Sequence, residues 1–171
     1  LGNRVDNFPN IIQREYSQGH EIGSHSFSHP QITTLTSDEI EYQFAETEHR
    51  IQQYVPYTTK LVRPPYGQIT QSLKEVLQKT FVLWSIDTQD WKTRDKDAIV
   101  SEVLNNVKDG DIILMHDMYS TTADACEELI PALIERGYQL VTVSELLNAK
   151  EITPVAGSVY SRVLSTGNAA S

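Results

Sequence analysis

The sequence predicts an α/β protein, and three observations carry that prediction. Apolar runs of strand length alternate with longer amphipathic segments, Gly and Pro punctuate the joins, and the clusters of polar, chemistry-bearing residues fall just after the apolar runs. Asn7 before Phe8-Pro9 reads as an N-cap with Pro in the first helical turn, Ile11 and Ile12 give an apolar face, and Gly19 ends a helix over about 8–18. His20 to Ser24 reads as a short strand and residues 25–35 as a polar loop. Thr36 and Glu39 have capping-box spacing, and Ile40, Phe44, Ile51 and Val55 recur at helical intervals, so a second helix ends before Pro56.

The alternation then repeats. A strand over 61–63 precedes a helix near 70–79, a strand over 81–86 precedes a helix near 95–108, and Gly110 closes that helix. Residues 111–115 form a strand, 122–136 a helix, 138–143 a strand, and Ser144 caps a last short helix. Such alternation implies a mainly parallel sheet with helices outside it, either an open doubly wound sheet or a barrel. From about Glu151 the pattern dissolves into Pro, Gly, Ser, Thr and Ala, so residues 1–150 are expected to form one domain and 151–171 an irregular tail.

The chain has 171 residues, 39% of them hydrophobic and 22% charged, which is enough to bury a core and is not the composition of a disordered chain. Its formal net charge of −9 argues against a nucleic-acid binder, which needs a basic surface to displace counterions, and is compatible with an uncharged glycan partner. Cys126 is the single cysteine, so neither an internal disulfide nor a multi-cysteine zinc site can form. No apolar run reaches the roughly 18 residues of a membrane span. The chain opens at Leu1 without an initiator Met and reads as a fragment, so the lack of a targeting signal says little.

In parallel βα folds functional groups gather at the carboxyl ends of the strands. Four clusters stand at such points. His25-Ser-Phe-Ser-His29 places two imidazoles four residues apart on a loop, a pair that could share a divalent ion with a carboxylate as third ligand, or could be two polar loop histidines. Arg63-Pro-Pro-Tyr66-Gly67 is a stiffened turn that would fix Arg63 and the Tyr66 amide, or serve as a structural corner. Asp87-Thr-Gln-Asp90-Trp91 sets two carboxylates and an indole at a strand end, where one aspartate or both could cap backbone amides instead. Leu114-Met-His116-Asp117 delivers a histidine from an apolar strand, a candidate proton donor. His20 and His49 have no such context and read as strand-start and solvated surface residues.

In order and position these four clusters resemble motifs of the polysaccharide deacetylase family, the NodB-like carbohydrate esterases of family four, and are most similar to the peptidoglycan N-acetylglucosamine deacetylases. The resemblance implies a distorted (β/α) barrel lacking its N-terminal βα unit, because the family's first motif, Thr-Phe-Asp-Asp-Gly, is absent from this chain. It implies that His25 and His29 are ligands of a divalent metal, Zn2+ with Co2+ as the alternative, beside an aspartate of the absent segment. It further implies that Arg63 holds that segment's second aspartate, the base, and that the Tyr66 amide faces the developing oxyanion. His116, oriented by Asp90, would protonate the departing amine, while Trp91 and Leu114 would wall the acetyl pocket.

The implied reaction is removal of N-acetyl groups from N-acetylglucosamine in a glycan, peptidoglycan being favoured by the short loops, with chitin-type and other acetylated glycans as alternatives. The implied partners are that glycan and the upstream segment, and the implied place is outside the cell or at its wall. Two rival readings are a non-catalytic glycan-binding fragment and a glycosidase using Asp87 and Asp90; the second leaves both loop histidines and Arg63 unexplained.

Overall fold

The structure, a computed structural model, describes residues 1–164. In chain order the elements are α1 (Gly2–Val5), α2 (Pro9–Ser17), α3 (Ser37–Gln52), β1 (Leu61–Val62), α4 (Gln71–Leu77), β2 (Thr80–Val82), β3 (Ile86–Asp87), α5 (Asp90–Thr93), α6 (Lys96–Asn106), β4 (Ile113–Leu114), α7 (Ser120–Glu135), α8 (Val143–Ala149) and β5 (Val159–Tyr160). The mixed α/β class holds, and every strand pair is parallel.

Where one domain is expected over 1–150, the described residues divide into two compact units, Leu1–Leu83 with Thr153–Tyr160, and Trp84–Ile152 with the residues from Ser161. The division falls inside the strand expected over 81–86. Its first part, β2, pairs with β1 and β5, whereas its last part, β3, pairs with β4 in a separate sheet.

In the first unit α3 starts with the expected capping box: the Thr36 side chain accepts from the Glu39 N–H, and Glu39 accepts from the Thr36 N–H. That reciprocal pairing satisfies two of the donors a helix start leaves open. The helix then lays Ile40 and Phe44 against Val62, Leu73 and Phe81, while Ile51 packs with Val5, Ile22 and Val55. Ile40, Val62, Leu73 and Phe81 are wholly buried, and each such side chain contributes about 1.5–3 kcal/mol relative to exposure. In the second unit α6 and α7 pack Ile99, Val100, Val103, Ala125, Leu129 and Leu133 over Ile86.

Several expectations need correction. The helix expected over 8–18 is α2, but a short unanticipated helix, α1, precedes it, and the α2 cap is Phe8, with no side-chain bond, and not Asn7. The strand expected over 20–24 is reduced to one bridge between Ser24 and Val62. Helix α8 is capped by Thr142, in a capping box with Glu145, two residues before the expected Ser144. The strand expected over 138–143 does not form: residues 139–141 make no backbone–backbone hydrogen bond among the described residues, and Leu140 is 49% and Val141 40% exposed. A strand exists only through a ladder with a neighbour, and no described segment supplies one here.

The segment expected as an irregular tail from 151 instead carries β5, whose Val159 and Tyr160 register with Phe81 and Val82. Beyond it Val163 is buried, its N–H bonded to the Gly110 carbonyl, and the Arg162 guanidinium pairs with the buried Asp111 carboxylate. The end of the expected tail, 165–171, lies outside the described residues.

Candidate active site

The predicted site residues fall in both units, His25, His29, Arg63 and Tyr66 in the first and Asp90, Trp91, Leu114 and His116 in the second. In the first unit the loop after Ser24 is held rigidly. The Phe27 and Ser28 amides both donate to Gln43 Oε1, the Gly2 and Asn3 amides donate to the Ser26 and Phe27 carbonyls, and the His29 amide donates to Ser26 Oγ. Ser26 and His29 both take left-handed backbone angles, φ 67° and 61°, an uncommon conformation for non-glycine residues that such a network can hold.

The result is that the two imidazoles stand together, ring centroids 5.0 Å apart and planes at 73°. His25 Nδ1 hydrogen-bonds the Arg63 carbonyl. A carbonyl only accepts, so the Nδ1 nitrogen carries the proton and Nε2 keeps its lone pair, the arrangement found in metal-ligating histidines. Burial opposes protonation of His25, and the neighbouring His29 adds to this, bringing its pKa down to about 4 despite the carbonyl bond. His25 is therefore a neutral donor at physiological pH.

The next strand end supplies Arg63 and Tyr66. Gly67 and Tyr66 both lie at positive φ, 67° and 57°, which turns the chain sharply after Pro64-Pro65. The Tyr66 N–H has no hydrogen-bond partner among the described residues, and the Tyr66 ring stands 4.6 Å from that of His29. Arg63 donates from one terminal nitrogen to the Leu83 carbonyl at 3.3 Å, but its buried Nε has no partner, and no carboxylate pairs with it among the described residues. Burial lowers its pKa. An unpaired buried guanidinium donor is costly, and a carboxylate is the group that relieves it.

Two imidazoles of this kind fit a borderline divalent ion such as zinc or cobalt, but they are two donors only. Among the described residues no group of three His, Cys, Asp or Glu side chains is placed to hold a metal. The donor set and the orphaned Arg63 thus both lack a carboxylate.

In the second unit the register of β3 with β4 sets Asp87 beside Leu114, and this brings the two following loops together. The Thr88 hydroxyl donates to the Leu114 carbonyl at 2.8 Å. Asp90 is fully buried and takes four hydrogen bonds. Its Oδ1 accepts from His116 Nδ1 at 2.7 Å and the Trp91 N–H at 2.9 Å, and its Oδ2 from the His116 N–H at 2.6 Å and Thr122 Oγ1 at 2.9 Å. Burial alone would raise the Asp90 pKa, but the bonds from His116 and Thr122 outweigh it and hold the carboxyl below its ordinary value.

The His116 ring is thereby fixed with Nδ1 on the carboxylate and its side chain 30% exposed. A ring oriented in this way can exchange a proton through Nε2. Thr122 was not legible in the sequence as a site residue, since a threonine in the first turn of an apolar helix carries no signal of its own. Asp87 caps the loop, its Oδ1 accepting the Gln89 N–H at 2.9 Å. Trp91 is 47% exposed and Leu114 is buried in β4, so of the two expected pocket walls only the indole is open to solvent. His20 and His49 are both exposed.

A family model described as polysaccharide deacetylase matches residues 1–82. The chain is 44% identical over 151 residues to the peptidoglycan-N-acetylmuramic acid deacetylase PdaC of Bacillus subtilis, covering 88% of this chain and 32% of that protein. It is 35% identical to a peptidoglycan-N-acetylglucosamine deacetylase of Bacillus cereus, covering 88% of this chain and 74% of that one. A family 4 acetyl xylan esterase from Clostridium thermocellum, solved with a cobalt ion, superposes with a TM-score of 0.90 at 34% identity over 95% of this chain and 82% of that chain. The chain spans about a third, 32%, of the length of the first curated relatives it matches. On these similarities the chain belongs to the polysaccharide deacetylase family.

Proposed function

We propose that this chain carries most of the active site of a metal-dependent enzyme that hydrolyses N-acetyl groups from N-acetylglucosamine in peptidoglycan, acting at the cell wall or outside the cell. The observation that supports this most strongly is the Asp90–His116 pair: a wholly buried carboxylate spends both oxygens on orienting one imidazole, a use of buried charge that stability alone does not call for.

His25 and His29 would hold the divalent ion, Zn2+ or Co2+, as neutral imidazoles. When bound, such an ion supplies Lewis acidity to a water and to the acetyl carbonyl. The Tyr66 N–H, free of any described partner, donates to the oxygen on which negative charge develops. His116 Nε2 gives a proton to the sugar nitrogen as the C–N bond breaks, so that water and the N-acetyl sugar become acetate and a free amine. Asp90 holds the Nδ1–H of His116, so that the ring presents Nε2 to the sugar nitrogen. Trp91 and Leu114 are assigned to the acetyl methyl.

The carboxylates that the imidazole pair and Arg63 both lack are assigned to a Thr-Phe-Asp-Asp-Gly segment outside these 171 residues, one aspartate as third metal ligand and the other as base, ion-paired with Arg63. The favoured substrate follows from relatives named as peptidoglycan deacetylases. The test is acetate release by the chain together with that segment, on peptidoglycan, chitin oligosaccharides and acetylated xylan, with and without chelator. Release from peptidoglycan that chelator abolishes supports the proposal. Chelator-insensitive release, or glycan binding without any release, would replace it with a carboxylate hydrolase or a binding module.

A further inference from the structure

The acid half of the site carries a fixed cation that the chemistry above leaves unused. Arg94 ends α5 in a left-handed conformation, φ 48° and ψ 38°, and its N–H donates to the Asp90 carbonyl at 3.0 Å. Its guanidinium lies over the Tyr119 ring, 4.7 Å from the centroid. Tyr119 in turn is the residue before α7, and its carbonyl accepts the N–H of Thr122, whose hydroxyl holds Asp90. The Arg94–Tyr119 stack therefore joins the two loops that build the Asp90 cradle, with exposed Trp91 and Met118 beside them in the chain.

Stacking holds a guanidinium by its face and leaves its edge, with the N–H fork, free. Of the other cations of this unit, Lys96 pairs with Glu128, Lys150 with Asp109 and Arg162 with Asp111, and Arg136 donates to the Leu104 carbonyl, whereas Lys92 and Lys108 have no ion pair among the described residues and are not held by an aromatic ring. Arg94 has no acidic partner among the described residues, and the adjacent Asp95 spends its side chain on the Ala98 N–H. In a chain of net charge −9 an anionic ligand is repelled by the whole and needs a local cation where it docks.

We propose that Arg94, backed by Tyr119, is a specificity-determining residue that receives a carboxylate of the glycan, borne by a sugar next to the one whose nitrogen His116 protonates. This rests on the proposed action on peptidoglycan and names the part of the polymer read: the acidic muramic residue, through its lactyl carboxylate or the peptide attached to it.

The test measures equilibrium binding, which needs no turnover, using the chain with its Thr-Phe-Asp-Asp-Gly segment. The probes are a peptidoglycan tetrasaccharide with free lactyl carboxylates, the same sugar carrying stem peptide, the lactyl-amidated sugar, and chitotetraose. Loss of a charge-assisted fork corresponds to about a tenfold weaker affinity, so Arg94→Gln is expected to lose about that factor for a carboxylate-bearing probe and nothing for chitotetraose. Arg94→Lys, which keeps charge without the planar fork, falls between, and Tyr119→Phe, which keeps the ring, matches the parent.

Dependence confined to the free-lactyl sugar names the lactyl group as the carboxylate read, and dependence confined to the peptide-bearing sugar names the peptide. Equal losses for all four probes would make the stack a clamp on the Asp90 loops and overturn the inference, as would no loss for any. In the parent, the amidated sugar should bind like chitotetraose, an arm that needs no variant. If acetate release fails while this discrimination appears, the deacetylation reading falls and the recognition stands.

Discussion

Replacing Asp90 by asparagine removes one charge and no volume, and the structure fixes what that costs. Both carboxylate oxygens accept two donors each: Trp91 N–H with His116 Nδ1 on one, His116 N–H with Thr122 Oγ1 on the other. An amide has one acceptor oxygen. If its NH2 takes the first position, it opposes the Trp91 N–H and meets the His116 Nδ1–H donor to donor, so the ring is no longer held through Nδ1–H while Nε2 gives its proton. If it takes the second, Thr122 can rotate to accept, but the His116 backbone N–H loses its partner.

Either way one buried N–H is stranded, at about 1–3 kcal/mol, and the charge assistance of the remaining bonds is lost as well. We expect Asp90→Asn to destabilise the chain by about 2–4 kcal/mol and to lower acetate release by about 10²–10⁴-fold. Urea unfolding followed by fluorescence of Trp84 and Trp91, both in the second unit, should show a lower midpoint with an unchanged slope. Because the folded Asp90 carboxyl titrates below its ordinary value, its contribution is fully present above about pH 4 and disappears as pH falls through the depressed value, so the variant should lack that acid-sensitive part. A variant as stable as the parent within about 0.5 kcal/mol and as active would refute the claim that this carboxylate is spent on His116.

His25 titrates near 4 when folded against about 6.5 when unfolded, so its share of stability is present above pH 6.5 and is lost as pH falls through 4. His25→Gln should flatten the pH dependence of the urea midpoint across that window, and carbon-detected NMR should find the parent ring half-protonated near pH 4; a midpoint near 6.5 would contradict the buried neutral donor. Gly110 lies at φ +86°, and a Cβ there would stand 1.9 Å from the Val163 carbonyl oxygen, so Gly110→Ala should cost about 2 kcal/mol or more and lower the melting temperature by at least about 4 °C. The unpaired segment 139–141 offers a ladder edge to another chain; the parent should self-associate in sedimentation and Leu140→Lys should reduce that association, whereas an equally monodisperse pair would show that the edge is inert.

Local chemistry was legible in the sequence wherever it is self-contained. The Thr36–Glu39 capping box, the stop at Gly19 and the clusters at strand ends need only residues close in the chain, and α3, α6 and α7 lie where periodicity put them, although α6 ends at Asn106 with Val107 as its cap and not at Gly110. What depends on distant partners was not legible. A two-residue strand such as β5 carries no period, so its parallel registration with β2 across 76 intervening positions left no trace in the sequence. The run Tyr138 to Val143 has strand composition but no described neighbour, and composition alone does not make a ladder.

The same contrast holds in the site. His25, His29, Asp90 and His116 were identifiable as types at strand ends, and Asp90 and His116 meet at 2.7 Å, within the expected hydrogen-bond reach. Thr122 and the His25–Arg63 carbonyl bond were not identifiable, because both are contacts between segments whose approach only the fold decides.

This chain holds two adjacent imidazoles, a histidine oriented by a buried carboxylate and an arginine with no carboxylate partner among the described residues, and the proposed function requires a segment bearing two aspartates beside them. That requirement is tested most directly by measuring acetate release from peptidoglycan by purified Leu1–Ser171 with Zn2+, alone and after addition of a Thr-Phe-Asp-Asp-Gly fragment, in cis or in trans. No release is expected from the chain alone, and chelator-sensitive release is expected once the fragment is present. Robust, metal-dependent release from the chain alone, with no such fragment detectable by mass spectrometry, would contradict that requirement.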